Sequence, residues 1–140
     1  MIIPWLFSFL KTWEFVGLDV KGCSRGLAIG WNLQKIKVTS YWGFEYGLGL
    51  NFLSIETGSE VTVLNLYGPY QERALFGEAL GHKSFLKSEK FILHGDPNFS
   101  LREDESWGPR DRPDPLTDFF IDILRRMKLI EIPPIILCST

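Results

Sequence analysis

The sequence predicts a mixed α/β fold of the α+β kind, in which antiparallel strands are followed by a helix that crosses over to one further strand. Three observations carry this expectation. Between residues 13 and 67, short stretches of β-branched, aromatic and alternating apolar residues are separated by brief turns, the pattern of a meander rather than a βαβ series. From residue 71 to 87 the apolar spacing becomes helical. The run Phe91-Ile92-Leu93-His94-Gly95-Asp96-Pro97-Asn98-Phe99 then ends abruptly in Gly-Asp-x-Asn, as a buried strand with a polar tip does.

Residues 13–18 carry β formers and give way to a loop at 19–22. Residues 26–31 form the next strand, with glycines that permit a bulge or close backbone approach. Residues 35–42 alternate strictly, as a strand with one wet face should. Residues 48–55 follow, and the turn at 56–60 leads into Glu60-Val61-Thr62-Val63-Leu64-Asn65-Leu66-Tyr67, which stops at Gly68-Pro69. The crossover helix at 71–87 places Leu75, Phe76, Ala79, Leu80, Phe85 and Leu86 on or near one face, and Gly77 and Gly81 weaken it. A mixed-charge loop contains Arg102-Glu103-Asp104-Glu105 and Arg110-Asp111-Arg112-Pro113. Asp114-Pro115 reads as N-cap and first-turn proline of a helix that runs through Leu116, Phe119, Phe120, Ile123 and Leu124 to Lys128. Residues 129–132 open a further strand, which Pro133-Pro134 interrupts.

Composition narrows the class. A chain of 140 residues with 45% hydrophobic and 14% aromatic residues can bury a core, and is one domain at most. The formal net charge of −2 gives no global basic field, so nucleic-acid affinity would need a local patch. Cys23 and Cys138 match no metal or redox spacing, which favours free thiols in a reducing compartment, and with only His82 and His94 besides, zinc is not expected. The apolar opening at 1–10 lacks a basic leader and is too short to span a bilayer. It is read as a buried edge segment, with a signal-peptide core or membrane contact as the alternatives; no membrane partner is expected.

The strand tips hold the candidate chemistry. In an extended chain, Asp96 and Asn98 point to one face and Pro97 away from it. A carboxylate beside an amide suits a phosphate: the acid orients a water or holds a divalent cation, and the amide donates to an oxygen. The same residues also read as an ordinary Asx turn. Tyr67 reads as a strand cap with a buried ring, and His94 as a base or a hydrogen-bonded strand residue. Arg73, Arg110 and Arg112 are phosphate contacts or surface charges, and residues 103–105 are a solvated run.

The pair of strands ending Asn65-Leu66-Tyr67-Gly68-Pro69-Tyr70 and Gly95-Asp96-Pro97-Asn98-Phe99, joined by a helix, resembles the endonuclease/exonuclease/phosphatase superfamily. More narrowly, Gly26-Leu27-Ala28-Ile29-Gly30-Trp31-Asn32, Trp107-Gly108-Pro109-Arg110 and Asp114-Pro115-Leu116-Thr117-Asp118-Phe119-Phe120 are similar to the endonuclease domain of plant non-LTR (LINE-type) retroelements. The resemblance runs from Trp13 to Ile132, which makes 13–132 the expected domain and leaves 1–12 and 133–140 as flanks. It implies part of a four-layer α/β/β/α sandwich and a Mg2+-dependent phosphodiester hydrolase acting on DNA in the nucleus. By it, Tyr67, Asp96 and Asn98 are catalytic, and Asn65 and Arg73 bind substrate. Arg25 replaces a family glycine, Tyr70 an asparagine and Pro97 an aliphatic residue. The family's metal-binding Asn and Glu, and its later Asn, Asp and Ser-Asp-His motifs, have no counterpart here, so no metal ligand is assigned. The expectation is a truncated domain with weak or no activity, or a non-catalytic module that self-associates through an exposed sheet.

Overall fold

A computed structural model describes residues 11–19, 26–82, 89–101 and 114–132. The expectations for residues 1–10, Cys23, Arg25, Phe85, Leu86, residues 103–105, Arg110, Arg112 and residues 133–140 lie outside these. The elements are β1 (Trp13–Leu18), β2 (Leu27–Asn32), β3 (Ile36–Phe44), β4 (Gly47–Ser54), β5 (Glu60–Tyr67), α1 (Arg73–Gly81), β6 (Phe91–Asp96) and α2 (Thr117–Arg126).

The fold is α+β, and the strands form two sheets. β1 and β2 pair antiparallel by themselves, and a four-stranded sheet has the order β3-β4-β5-β6. The predicted meander therefore divides after Asn32, whose Oδ1 accepts the Gln34 N–H at 2.9 Å in a turn that carries the chain into the second sheet. β3, β4 and β5 are the true meander, and α1 returns the chain so that β6 runs parallel to β5. β2 packs across β4 and β5, so the two sheets face each other.

Alternation along β3 to β6 separates two faces. Leu64, Leu66, Leu93 and Phe91 point toward the helices, where Leu64, Leu66, Phe76, Leu80, Phe120 and Ile123 form the core. Phe120 stacks on Phe99 with centroids 3.9 Å apart, and Tyr46 meets Phe76 edge-on at 5.3 Å. Burying such a ring stabilises the fold by about 1.5–3 kcal/mol. Glycines on this face make room for rings: a Cβ on Gly49 would lie 2.3 Å from the Trp42 ring, and one on Gly47 2.6 Å from Phe44. Gly77 has the same use in α1, since its Cβ would lie 2.5 Å from Phe119 where the two helices pack. Close helix packing thus offsets the propensity loss.

One row across this face is polar. Thr62, fully buried, donates to Asn51 Oδ1 at 2.7 Å, and Asn51 Nδ2 donates to Ser40 Oγ at 2.8 Å. Every member has a partner, so the row fixes the register of three strands without leaving an orphaned buried group.

Several boundaries differ from expectation. α1 starts at Arg73, and Leu75 is 59% exposed while Phe76 and Leu80 are buried. Regular helix in α2 begins at Thr117: Asp114 Oδ1 accepts the Leu116 N–H at 3.0 Å, holding a turn that precedes the helix. Residues 129–132 form no strand. Lys128 is left-handed at φ 57°, and the Leu129 N–H bonds back to Leu124 O at 3.0 Å, a helix stop of Schellman type that redirects the chain before any ladder forms.

Candidate functional site

The site is built by register. In the parallel pair β5–β6, Asn65 lies beside His94 and Tyr67 beside Asp96. Leu64, Leu66 and Leu93 face the helices, so Asn65, Tyr67 and His94 share the opposite face, on the side where β1–β2 packs, while Gly95, at φ 117°, breaks the alternation before Asp96. Parallel strands lie about 4.8 Å apart, so the Asn65 amide meets the His94 imidazole across the pair, and Tyr67 and Asp96 are paired residues at its C-terminal end.

Backbone contacts knit the tip together. The Gly68 N–H donates to Asp96 O at 2.8 Å, and a Cβ on Gly68 would lie 2.0 Å from Pro97 O. Only glycine permits that approach. Gly95 is held at φ 117° with Leu66 O 2.0 Å from where a Cβ would stand. Pro97 follows the last paired residue, Asp96, so its missing N–H breaks no β5–β6 pairing.

The extended alternation that would aim Asp96 and Asn98 together stops at Asp96. Asn98 is left-handed at φ 54°, its N–H donates to Asp96 Oδ1 at 3.0 Å, and its Nδ2 donates to Gly68 O. This is the Asx turn, and the turn is what joins Asp96 to Asn98. Asn98 thereby ties the two strand tips, and the Asp96 carboxylate, one oxygen engaged, stays exposed.

Asn65 donates from Nδ2 to Ala28 O on β2 at 3.3 Å, and its Oδ1 lies 3.4 Å from His94 Nδ1. That link was not anticipated from sequence, although Asn65-x-Tyr67 and His94-x-Asp96 share one spacing and must pair residue for residue once the strands align. Arg73 is elsewhere. Its guanidinium pairs with Asp114 and lies 5.8 Å over the Phe120 ring, fastening α1 to the entry of α2. Burial would raise the Asp114 carboxyl, but the Leu116 N–H and Arg73 outweigh it and hold it below the usual carboxylate range.

Among the described residues, no three His, Cys, Asp or Glu side chains gather as a metal site, and no helix is long and apolar enough to cross a membrane. No protein-family model and no curated protein matches the sequence. Among solved structures, the human Nocturnin catalytic domain, determined with a bound sulfate anion, is similar at TM-score 0.53 and 14% identity, over 73% of this chain and 48% of that one. The fold is of the endonuclease/exonuclease/phosphatase type. This chain spans about half the length of that domain.

Proposed function

We propose that the chain is a phosphodiester hydrolase module acting on DNA, of the LINE-type endonuclease kind, with its site at the β5–β6 tip. The observation that carries this reading is the register that sets Tyr67 beside Asp96, with Asn98 tied to both strand ends. In this reading the exposed Asp96 carboxylate orients the attacking water, and the Tyr67 phenol donates to a phosphate oxygen. Asn98 holds the tip in shape, and Asn65 supports the same face from β5. Arg73, bound to Asp114, acts on the packing of the helices rather than on substrate.

Magnesium is the cofactor that this chemistry implies. Mg2+ is commonly held by one or two carboxylates together with substrate phosphates and water, and the tip offers one carboxylate, Asp96. Among the described residues no group of three His, Cys, Asp or Glu side chains surrounds it, so Asp96 would hold the ion only together with substrate oxygens and water. When bound, it would neutralise charge on the phosphate oxygens.

The test is nicking of supercoiled plasmid with Mg2+ by folded wild type, Asp96→Ala and Asn98→Ala. Slow nicking by wild type, lost in both variants, is expected. No nicking, or nicking that survives both substitutions, would overturn the reading.

A second reading has its own observation. β6 is an edge strand among the described residues, with Ile92 47% exposed. It borders a groove of about 510 Å3 shared with residues 128–132, where Ile130 and Ile132 are 87% and 83% exposed. An apolar edge of this kind suits a module that pairs with another chain. Concentration-dependent association that ignores Mg2+ would favour it.

A further inference from the structure

We propose that the occupant of the open β6 edge is a second copy of this chain, with the two β6 strands paired antiparallel about a two-fold axis at Ile92; this rests on the edge-pairing reading above and gives it a partner and a register. The ladder to β5 fixes which groups are free. The Thr62 N–H donates to Lys90 O at 2.9 Å and the Gly68 N–H to Asp96 O at 2.8 Å, so the even-numbered residues of β6 turn their backbone groups toward β5. Alternation then aims the N–H and C=O of Phe91 and Leu93 outward, and no strand among the described residues pairs with them. Gly95 at φ 117° and Pro97, which has no N–H, end the regular edge. The stretch that can pair is short and centred on Ile92.

That stretch matches itself when reversed. Phe91 of each copy exchanges both backbone bonds with Leu93 of the other, and these two apolar side chains, already packed on the core, meet on the helix side of the sheet. On the other side Ile92, 47% exposed in one chain, meets its own counterpart. Charge follows the same symmetry. Lys90 stands at the start of β6 and Asp96 at its end, so reversal brings Lys90 of one copy toward the end of β6 that carries the Asp96 carboxylate of the other. Lys90 Nζ donates to Ser59 Oγ at 2.8 Å within its own chain, at an exposed position from which the ammonium can serve both. His94 stands opposite Lys90 and Gly95 opposite Glu89, so no carboxylate faces a carboxylate and no ammonium an ammonium.

Ile130 and Ile132, which line the groove along β6, add apolar surface beside the pair. The pairing is isologous, so each copy covers the β6 edge of the other and neither strand is left to recruit a third.

The experiment follows the full chain by sedimentation equilibrium across concentration, for wild type, Ile92→Lys, Lys90→Asp and the swap Lys90→Asp with Asp96→Lys, each checked for folding by circular dichroism. Wild type should dimerise with concentration. Ile92→Lys, which sets two ammoniums opposite each other, should stay monomeric where wild type is dimeric. Lys90→Asp should raise the dimer Kd about tenfold, and the swap should restore it. Oxidative cross-linking reads the register, in a chain carrying Cys23→Ser and Cys138→Ser. Opposed residues of a non-hydrogen-bonded pair have Cα atoms about 4.5 Å apart, within disulfide range, so Ile92→Cys should link two copies and Leu93→Cys should not. Linking through Leu93→Cys but not Ile92→Cys, or dimers that folded Ile92→Lys leaves intact, would overturn this inference alone. A wild type that is monomeric at every concentration overturns the edge-pairing reading and this inference with it.

Discussion

Replacing Asp114 by alanine should destabilise the fold through Arg73. The Arg73 and Asp114 side chains are 21% and 13% exposed, and Arg73 Nε is already buried with no hydrogen-bond partner among the described residues. Removing the carboxylate orphans a half-buried cation, at about 1–3 kcal/mol, and also deletes the bond to the Leu116 N–H, worth about 1 kcal/mol. The sum of about 2–4 kcal/mol corresponds to a Tm decrease of about 6–12 °C in a domain of this size. Arg73→Met keeps an apolar stem near Phe120 and removes the charge, so a double-mutant cycle with Asp114→Ala isolates the pair, with an expected coupling of about 1–3 kcal/mol. The pH dependence has a definite sign. Because the folded-state pKa of Asp114 lies below its unfolded value, the contribution is full above about pH 4 and is lost as pH falls through the depressed value. Urea denaturation at neutral and acid pH measures both. Additivity of the two substitutions within about 0.5 kcal/mol, or an Arg73→Met variant that loses DNA affinity with unchanged stability, would refute the reasoning.

Other substitutions test the sheet and its tip. Thr62→Val leaves Asn51 Oδ1 without its buried donor and should lower the unfolding free energy by about 1–3 kcal/mol in urea titrations. Gly95→Ala puts a methyl into the Leu66 carbonyl at a φ of 117°, and should cost more than about 3 kcal/mol, read as loss of soluble folded yield. Asn98→Gly keeps the left-handed backbone and loses only the bond to Gly68, about 1 kcal/mol, whereas Asn98→Val adds about 1–2 kcal/mol of strain; thermal melts should rank them in that order.

Much of the fold is legible in local pattern. The alternation of residues 35–42 anticipates β3, whose exposure does alternate, and the apolar spacing around Phe120 and Ile123 anticipates the face that α2 buries. Alternation carries no record of which strand is the partner, so the separation of β1–β2 from the larger sheet could not be read. The same gap hides Gly47 and Gly49, whose purpose depends on rings one strand away. The turn that replaces a strand at 129–132 is hidden because the left-handed stop falls on a lysine rather than a glycine. At the tip, the punctuated ends at Gly68-Pro69 and Asp96-Pro97 were enough to mark where β5 and β6 stop. Local turn chemistry decided their geometry, and the bond from Asn65 to His94 needed the parallel register.

Titrating isotope-labelled protein with a short DNA duplex and Mg2+, and following each backbone amide by NMR, tests most directly whether the β5–β6 tip engages a phosphodiester. The largest shifts should fall at residues 65–68 and 94–98 and should diminish in Asp96→Ala. Shifts that gather instead along Ile92 and residues 129–132, or no shifts from a folded sample, would contradict a hydrolytic site at the strand tips.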